Sequence, residues 1–282
     1  MTKGKHMPKG KREAGFKEEG FKKDRRNFEE ERFEPVELDE NVLFGRNAVI
    51  EALKGERTVD KILVQKGEKE GSVIKIISGA KAKNIVVQEV EKSKLDELTG
   101  RKKHQGVVAY VAAHEYVSVD EILEYAKSKG EHPFVLILEN IQDPHNLGAI
   151  VRTAHTAGVH GIIIPKRRAV GLTGTVAKSS AGALEHTKIA KVSNIGQTIK
   201  ELKAQGLWIA CADMGGKTLF EEDLTGPIGI VVGSEGEGIS RLTRENCDYT
   251  VSVPMYGKVT SLNASVAASI MVYEVVRQRN FK

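Results

Sequence analysis

Cysteine is nearly absent from this 282-residue chain: Cys211 and Cys247 are the only two. Two thiols are too few for a disulfide framework or a zinc cluster, so both are expected in reduced form and no metal is expected. Long apolar runs are missing too. Stretches such as Phe134–Leu138 have strand length, far short of the ~20 residues a membrane helix needs. No apolar segment follows the basic opening MTKGKHMPKGKR, so a secretory signal is not expected and a cytoplasmic location is. Aromatic residues make up 5% of the chain, without the motif on which an RNA-recognition sheet stacks bases. A nucleic-acid partner, if there is one, is then read by charge and shape.

What the chain does contain is charge and a regular alternation of apolar runs. Lys and Arg number 43 against 38 Asp and Glu, a net charge of +5. That excess is compatible with a phosphate-bearing partner, because cations gain affinity by displacing its counterions. A composition of 40% hydrophobic and 29% charged residues is that of a soluble globular protein, and the length suffices for two domains. Residues 1–40 are polar and of mixed charge, basic first and acidic later. They bury too little apolar surface to offset their ordering entropy and are expected as a disordered tail. Such a tail serves either as an electrostatic arm or as a plain solvated extension.

Order is expected from Val42 onward. Helices are predicted over 46–53 and 72–83, strands over 61–65, 85–90 and 107–112, and a short helix capped by Ser93 with Asp96 in its first turn. This makes a small α/β unit over 42–112. Residues 113–132 are expected as a linker, containing a capping-box helix start at Ser118-Val-Asp-Glu121. Over 133–282 the rhythm continues at larger scale. Strands are predicted at 134–139, 161–165, 207–211, 228–232 and 250–254, and helices at 146–157, 173–184, 194–204, 239–245 and 262–279. In the last helix Leu262, Val266, Ile270 and Tyr273 share one face and are expected to pack in the core. The result is an α/β domain with a mostly parallel sheet, whose binding site is expected at the carboxyl ends of its strands.

Three segments of that domain carry candidate chemistry. In the first, ENIQDPHNLGAIVRTA, a strand runs through a polar turn into a helix that Asn146 is placed to cap. Arg152, in an otherwise apolar stretch, needs a partner if buried. It either pairs with a neighbouring acid or faces a phosphate or ribose. In the second, IVVGSEGEGI, glycines at 233, 236 and 238 follow a strand. They allow either a tight turn or the close approach of a flat or charged ligand. The spacing and the late position are not those of the dinucleotide fingerprint, which speaks against a nicotinamide-dependent oxidoreductase. GLTGTVAKS is no Walker loop either, since Ala177 stands where the glycine before Lys178 must be. In the third, VPMYGKVTSLNASVA, a strand stops at Pro254 and a long helix begins near Leu262. Ser261 is a good cap for that helix, whose free N–H groups can also bind a ligand. Asn263 has no such structural account.

Taken together, NLGAIVRTA, VVGSEGEGIS and VPMYGKVTSLNASVAASIMVYE resemble the three motifs of the TrmH/SpoU family of SPOUT RNA 2′-O-methyltransferases. RKKHQGV at 101–107 is similar to the end of that family's substrate-binding domain. The resemblance runs from Val42 to Arg279 and is closest to the bacterial subgroup that methylates a guanosine ribose in 23S rRNA. It implies an α/β-knot domain, with a trefoil knot that breaks the usual rule against threading, preceded by a small α/β domain of ribosomal-protein-like fold. It further implies S-adenosylmethionine as cofactor, a homodimer built on the knot, and RNA as partner, rRNA first and tRNA as the alternative. By motif position Asn146, Arg152, Glu235, Ser261 and Asn263 correspond to the family's catalytic residues, and the backbone at Gly233, Val253 and Leu262 to its cofactor site. Arg152 then acts on the reacting ribose as a base or as a clamp on the adjacent phosphate. The clamp is preferred, because a guanidinium does not readily give up its proton. A non-catalytic RNA-binding protein that retains this fold would bind the cofactor without yielding methylated product.

Overall fold

The computed structural model describes residues 41–55, 58–67, 69 and 71–281. The tail expected over 1–40 lies outside them. The first α/β unit contains β1 (Val42–Phe44), α1 (Arg46–Lys54), β2 (Val59–Gln65), α2 (Ser72–Ala82), β3 (Val86–Val90), α3 (Lys92–Leu98) and β4 (Val107–Val111). Its four strands lie in the order β1-β4-β2-β3, with β4 antiparallel to both neighbours and β3 parallel to β2. Alternation along β2 decides the layering. Ile62 and Val64 pack with Val49 of α1 and Ile76 of α2, whereas Leu63 faces Leu95 of α3. The expected Ser93 cap is not formed. The chain turns at Glu91, α3 starts at Lys92, and Ser93 falls inside the first turn.

The second unit begins earlier than its first strand. Ser118 and Glu121 close a capping box at the start of α4 (Val119–Ser128). Residues 113–132, expected as a linker, thus hold a packed helix: Ile122, Leu123 and Ala126 join a core shared with Val135 and Ile163. Then follow β5 (Phe134–Leu138), α5 (Pro144–Thr156), β6 (Gly161–Pro165), α6 (Gly174–Ser179), β7 (Ile189–Val192), α7 (Ile195–Ala204), β8 (Trp208–Thr218), β9 (Ile228–Val232), α8 (Arg241–Asn246), β10 (Tyr249–Ser252) and α9 (Ala264–Asn280). Every pairing in the six-stranded sheet, ordered β10-β8-β9-β5-β6-β7, is parallel. Helices cover both faces, so β5 and β9 are fully buried apolar runs without polar alternation. Phe134, Leu136 and Leu138 of β5 pack on the side of α5 and α9, Val135 and Ile137 on the side of α4 and α7.

Several expectations need correction. The helix predicted over 173–184 breaks after Ser179, because Ala181 and Gly182 turn left-handed (φ 51° and 85°), and a 3-10 turn follows at Ala183–His186. Strand β8 runs on to Thr218, held by β10 across a register shift at Thr250/Val251. In α9 the core face is Ala264, Ala268, Met271, Val272 and Val275. Val266 and Tyr273 of the predicted core stripe are instead 45% and 48% exposed. This helix is apolar on more than one side, so periodicity alone does not tell its buried face.

The two units are fastened through Asp60 of β2. Its buried carboxylate forms an ion pair with Lys191 of β7 and accepts from Tyr116 Oη at 3.2 Å, which in turn accepts from Leu172 N. Burial, reinforced by the Asp60 charge, pushes the Tyr116 phenol well above its ordinary range. Gly171 permits the approach, since a Cβ there would stand 2.1 Å from Asp60 Oδ2.

Candidate active site

The site is assembled where β8, β9 and β10 end and α5 and α9 begin. After β9 the chain folds back so tightly that a Cβ on Gly233 would lie 2.3 Å from the carbonyl carbon of Gly238. Gly238 N donates to Ser234 O at 3.0 Å and closes the turn. Two residues that sequence reasoning passed over anchor this loop from the end of β5. Asn140 Nδ2 donates to Glu237 Oε2 at 3.1 Å, and Glu139 accepts from Ser240 N and Oγ at 3.0 and 2.8 Å. No local pattern marks either residue. They matter because the parallel pairing of β5 with β9 sets their ends side by side.

Helix α5 starts at Pro144 with Asp143 as its cap, accepting from His145 N at 2.9 Å. Asn146 is therefore not the cap that the sequence suggested. It sits within the first turn, and its side chain is free to donate to Glu235 Oε1 at 3.1 Å. A similar correction applies to α9. Asn263, not Ser261, is the cap, its Oδ1 accepting from Ser265 N and Val266 N. The Asn263 amide also donates to Asn146 Oδ1 at 2.9 Å and to Glu235 Oε1. Ala264 N donates to the same oxygen at 3.2 Å. One carboxylate thus ties three segments remote in sequence, and its negative charge suits the α9 N-terminus.

Beside this triad opens a cleft of about 760 Å³, lined by Gly233, Glu235, Val253, Ser261 and Leu262 together with Asp213 and Met271. Five of the eight sequence-derived site residues line it, and Asn146 and Asn263 join through Glu235. Arg152 does not. It is exposed on α5, and its side chain forms no hydrogen bond or ion pair among the described residues. The burial cost considered for its charge does not arise. Six residues past Asn146, it points about 120° away around the helix. Sequence reasoning also missed the ion pair of Arg244 with Asp213 on the cleft wall. From 253 to 262 the backbone forms no hydrogen bond within the described residues. Much of this backbone, from Met255 to Ser261, is exposed.

The chain is similar to known proteins over most of its length. The model of the SpoU rRNA Methylase family matches residues 133–273. The model described as RNA 2′-O ribose methyltransferase substrate binding matches residues 42–117. YacO of Bacillus subtilis (strain 168), assigned to the TrmH family tRNA/rRNA methyltransferases, is 49% identical over 240 residues, covering 84% of this chain and 96% of YacO. A relative of the same description from Staphylococcus saprophyticus is 48% identical over 245 residues, covering 86% and 98%. Among solved structures, the SpoU methyltransferase AviRb from Streptomyces viridochromogenes, in complex with AdoMet, superposes with a TM-score of 0.54. It shares 26% identity and covers 84% of this chain and 90% of AviRb. The fold is that of a SpoU-class methyltransferase. The chain belongs to the SpoU (TrmH) family of RNA 2′-O-methyltransferases.

Proposed function

We propose that the protein methylates the ribose 2′-hydroxyl of a guanosine in 23S rRNA, using S-adenosylmethionine, as a homodimer in the cytoplasm. The observation that carries this reading is the meeting of Asn146, Glu235 and Asn263 beside the cleft formed by Gly233, Val253, Ser261 and Leu262. The cleft backbone at 233 and 253–262 holds the cofactor, whose positive sulfur supplies an already activated methyl group. Asn146 and Glu235 orient the target nucleotide, and Ser261 with Asn263 shapes the wall between nucleotide and cofactor. Arg152 clamps the phosphate next to the reacting ribose, a role its permanently charged guanidinium fills without losing a proton. Alignment of hydroxyl and methyl is then the main contribution of the protein.

The dimer accounts for Arg152 and for the exposed side of α9. Val266 and Tyr273 leave apolar surface uncovered, and α5 meets α9 at Thr153 and Ser269, so Arg152 adjoins the face that a second copy covers. A cytoplasmic place agrees with an RNA substrate and with the absence, among the described residues, of a helix long and apolar enough to cross a membrane. Mapping 2′-O-methyl positions in rRNA and tRNA from cells with and without the gene tests the assignment. Loss of one 2′-O-methylguanosine from 23S rRNA is expected. Loss from a tRNA alone moves the target, and no loss from either RNA overturns the reading.

A further inference from the structure

A second groove, of about 800 Å³, lies between the two α/β units. One wall is the edge of the first unit, with Lys61 on β2 and Lys81 on α2; the other is the loop that follows β6, with Lys166, Arg167 and Arg168. Lys191 stands at its floor. Among the described residues the only acid lining it is Asp60, which is buried and paired with Lys191. Arg167 and Arg168 are exposed, and the side chains of the three loop cations form no ion pair among the described residues. Lys61 lies over the Tyr110 ring, its ammonium 4.7 Å from the ring centroid. Like charges facing one another across a cleft repel and concentrate positive potential there, and a polyanion entering between them relieves that repulsion.

Position adds to the charge argument. Pro144, the first residue of α5, also lines the groove. Asn146 of the active-site triad is two residues further along the same helix. The groove therefore reaches the first turn of the helix that carries Asn146. The Asp60–Lys191–Tyr116 contact holds the two walls at a set separation.

We propose that this inter-domain groove is the track for the RNA strand flanking the target nucleotide, gripped on one wall by Lys61 and Lys81 and on the other by Lys166, Arg167 and Arg168. The inference rests on the RNA-methyltransferase reading. Charges on both walls suit a continuous backbone better than a single phosphorylated metabolite.

The test uses the full-length protein, with protein-free 23S rRNA and bulk tRNA as probes. Two variants are compared, K166Q/R167Q/R168Q and K61Q/K81Q. Filter binding across a salt series is expected to show at least a tenfold loss of affinity for each at about 0.1 M salt. The slope of log affinity against log salt should fall by about 2 for the triple and about 1.4 for the double variant, at roughly 0.7 per lost single-strand phosphate contact. The KM for RNA should rise while kcat and S-adenosylmethionine affinity stay near wild type, which also shows that the variants fold. Unchanged RNA affinity and slope in both variants, with wild-type methylation intact, overturns the track and leaves the enzyme assignment standing. Weakened variants of a wild-type protein that binds RNA but transfers no methyl group support the track and overturn the enzymatic reading. A wild-type protein that binds neither RNA overturns both.

Discussion

Glu235 shows how much one side chain can organise. Its Oε1 receives donors from Asn146, Asn263 and Ala264, so it ties the loop after β9 to the starts of α5 and α9. Arg152 is its opposite, a charge with no partner among the described residues. The two therefore fail differently when replaced. Arg152→Ala is expected to lower methyl transfer by roughly a hundredfold or more, in the range found for single charge-stabilising groups, and to leave cofactor affinity and Tm unchanged. Arg152→Lys should recover only part, because a point charge lacks the two-pronged geometry. Single-turnover assays beside calorimetry with S-adenosylmethionine check this, and wild-type turnover in Arg152→Ala removes it from the mechanism.

At the scale of an element, α9 does two jobs. Ala264, Ala268, Met271, Val272 and Val275 bind it to the core, and Val266 and Tyr273 face outward. In the dimer we propose, this exposed apolar face of α9 is the surface that the second copy covers. Val266→Asp combined with Tyr273→Glu is expected to shift the protein from about twice the 30.9 kDa chain mass to the monomer mass in light scattering. Since neither residue is in the core, the thermal transition of the monomer should stay cooperative. A variant that remains dimeric places the interface elsewhere.

For the whole molecule, the joint between the two units decides whether a substrate can touch both at once. Asp60 and Lys191 are 6% and 12% exposed at their side chains. Breaking such a pair strands one charge, at a cost of about 3–5 kcal/mol. Asp60→Asn should therefore destabilise the chain by about that amount in urea unfolding, whereas replacing Asp60 and Lys191 together by Leu and Met should cost less. Equal losses in the single and double variants would show that the pair does not fasten the joint.

The local pattern of this sequence determined the alternating α/β layout, the buried strands β5, β6 and β9, the capping box at Ser118 and the three glycine- and asparagine-bearing motifs, because apolar periodicity and turn chemistry act over a few neighbouring residues. It did not determine which asparagine caps a helix and which reaches into the site. Asn146 and Asn263 each suit a cap, and Asp143 took the first position because the chain turns one residue before Pro144. Nor did it show the buried face of α9, the short strands β1 and β7, the anchoring of the glycine loop by Glu139 and Asn140, or the joining of β2 to β7 through Asp60 and Lys191. Those contacts link residues up to 131 positions apart. They arise only when the strand ends of the parallel sheet lie side by side and the two units pack together, outcomes that no short window of sequence contains.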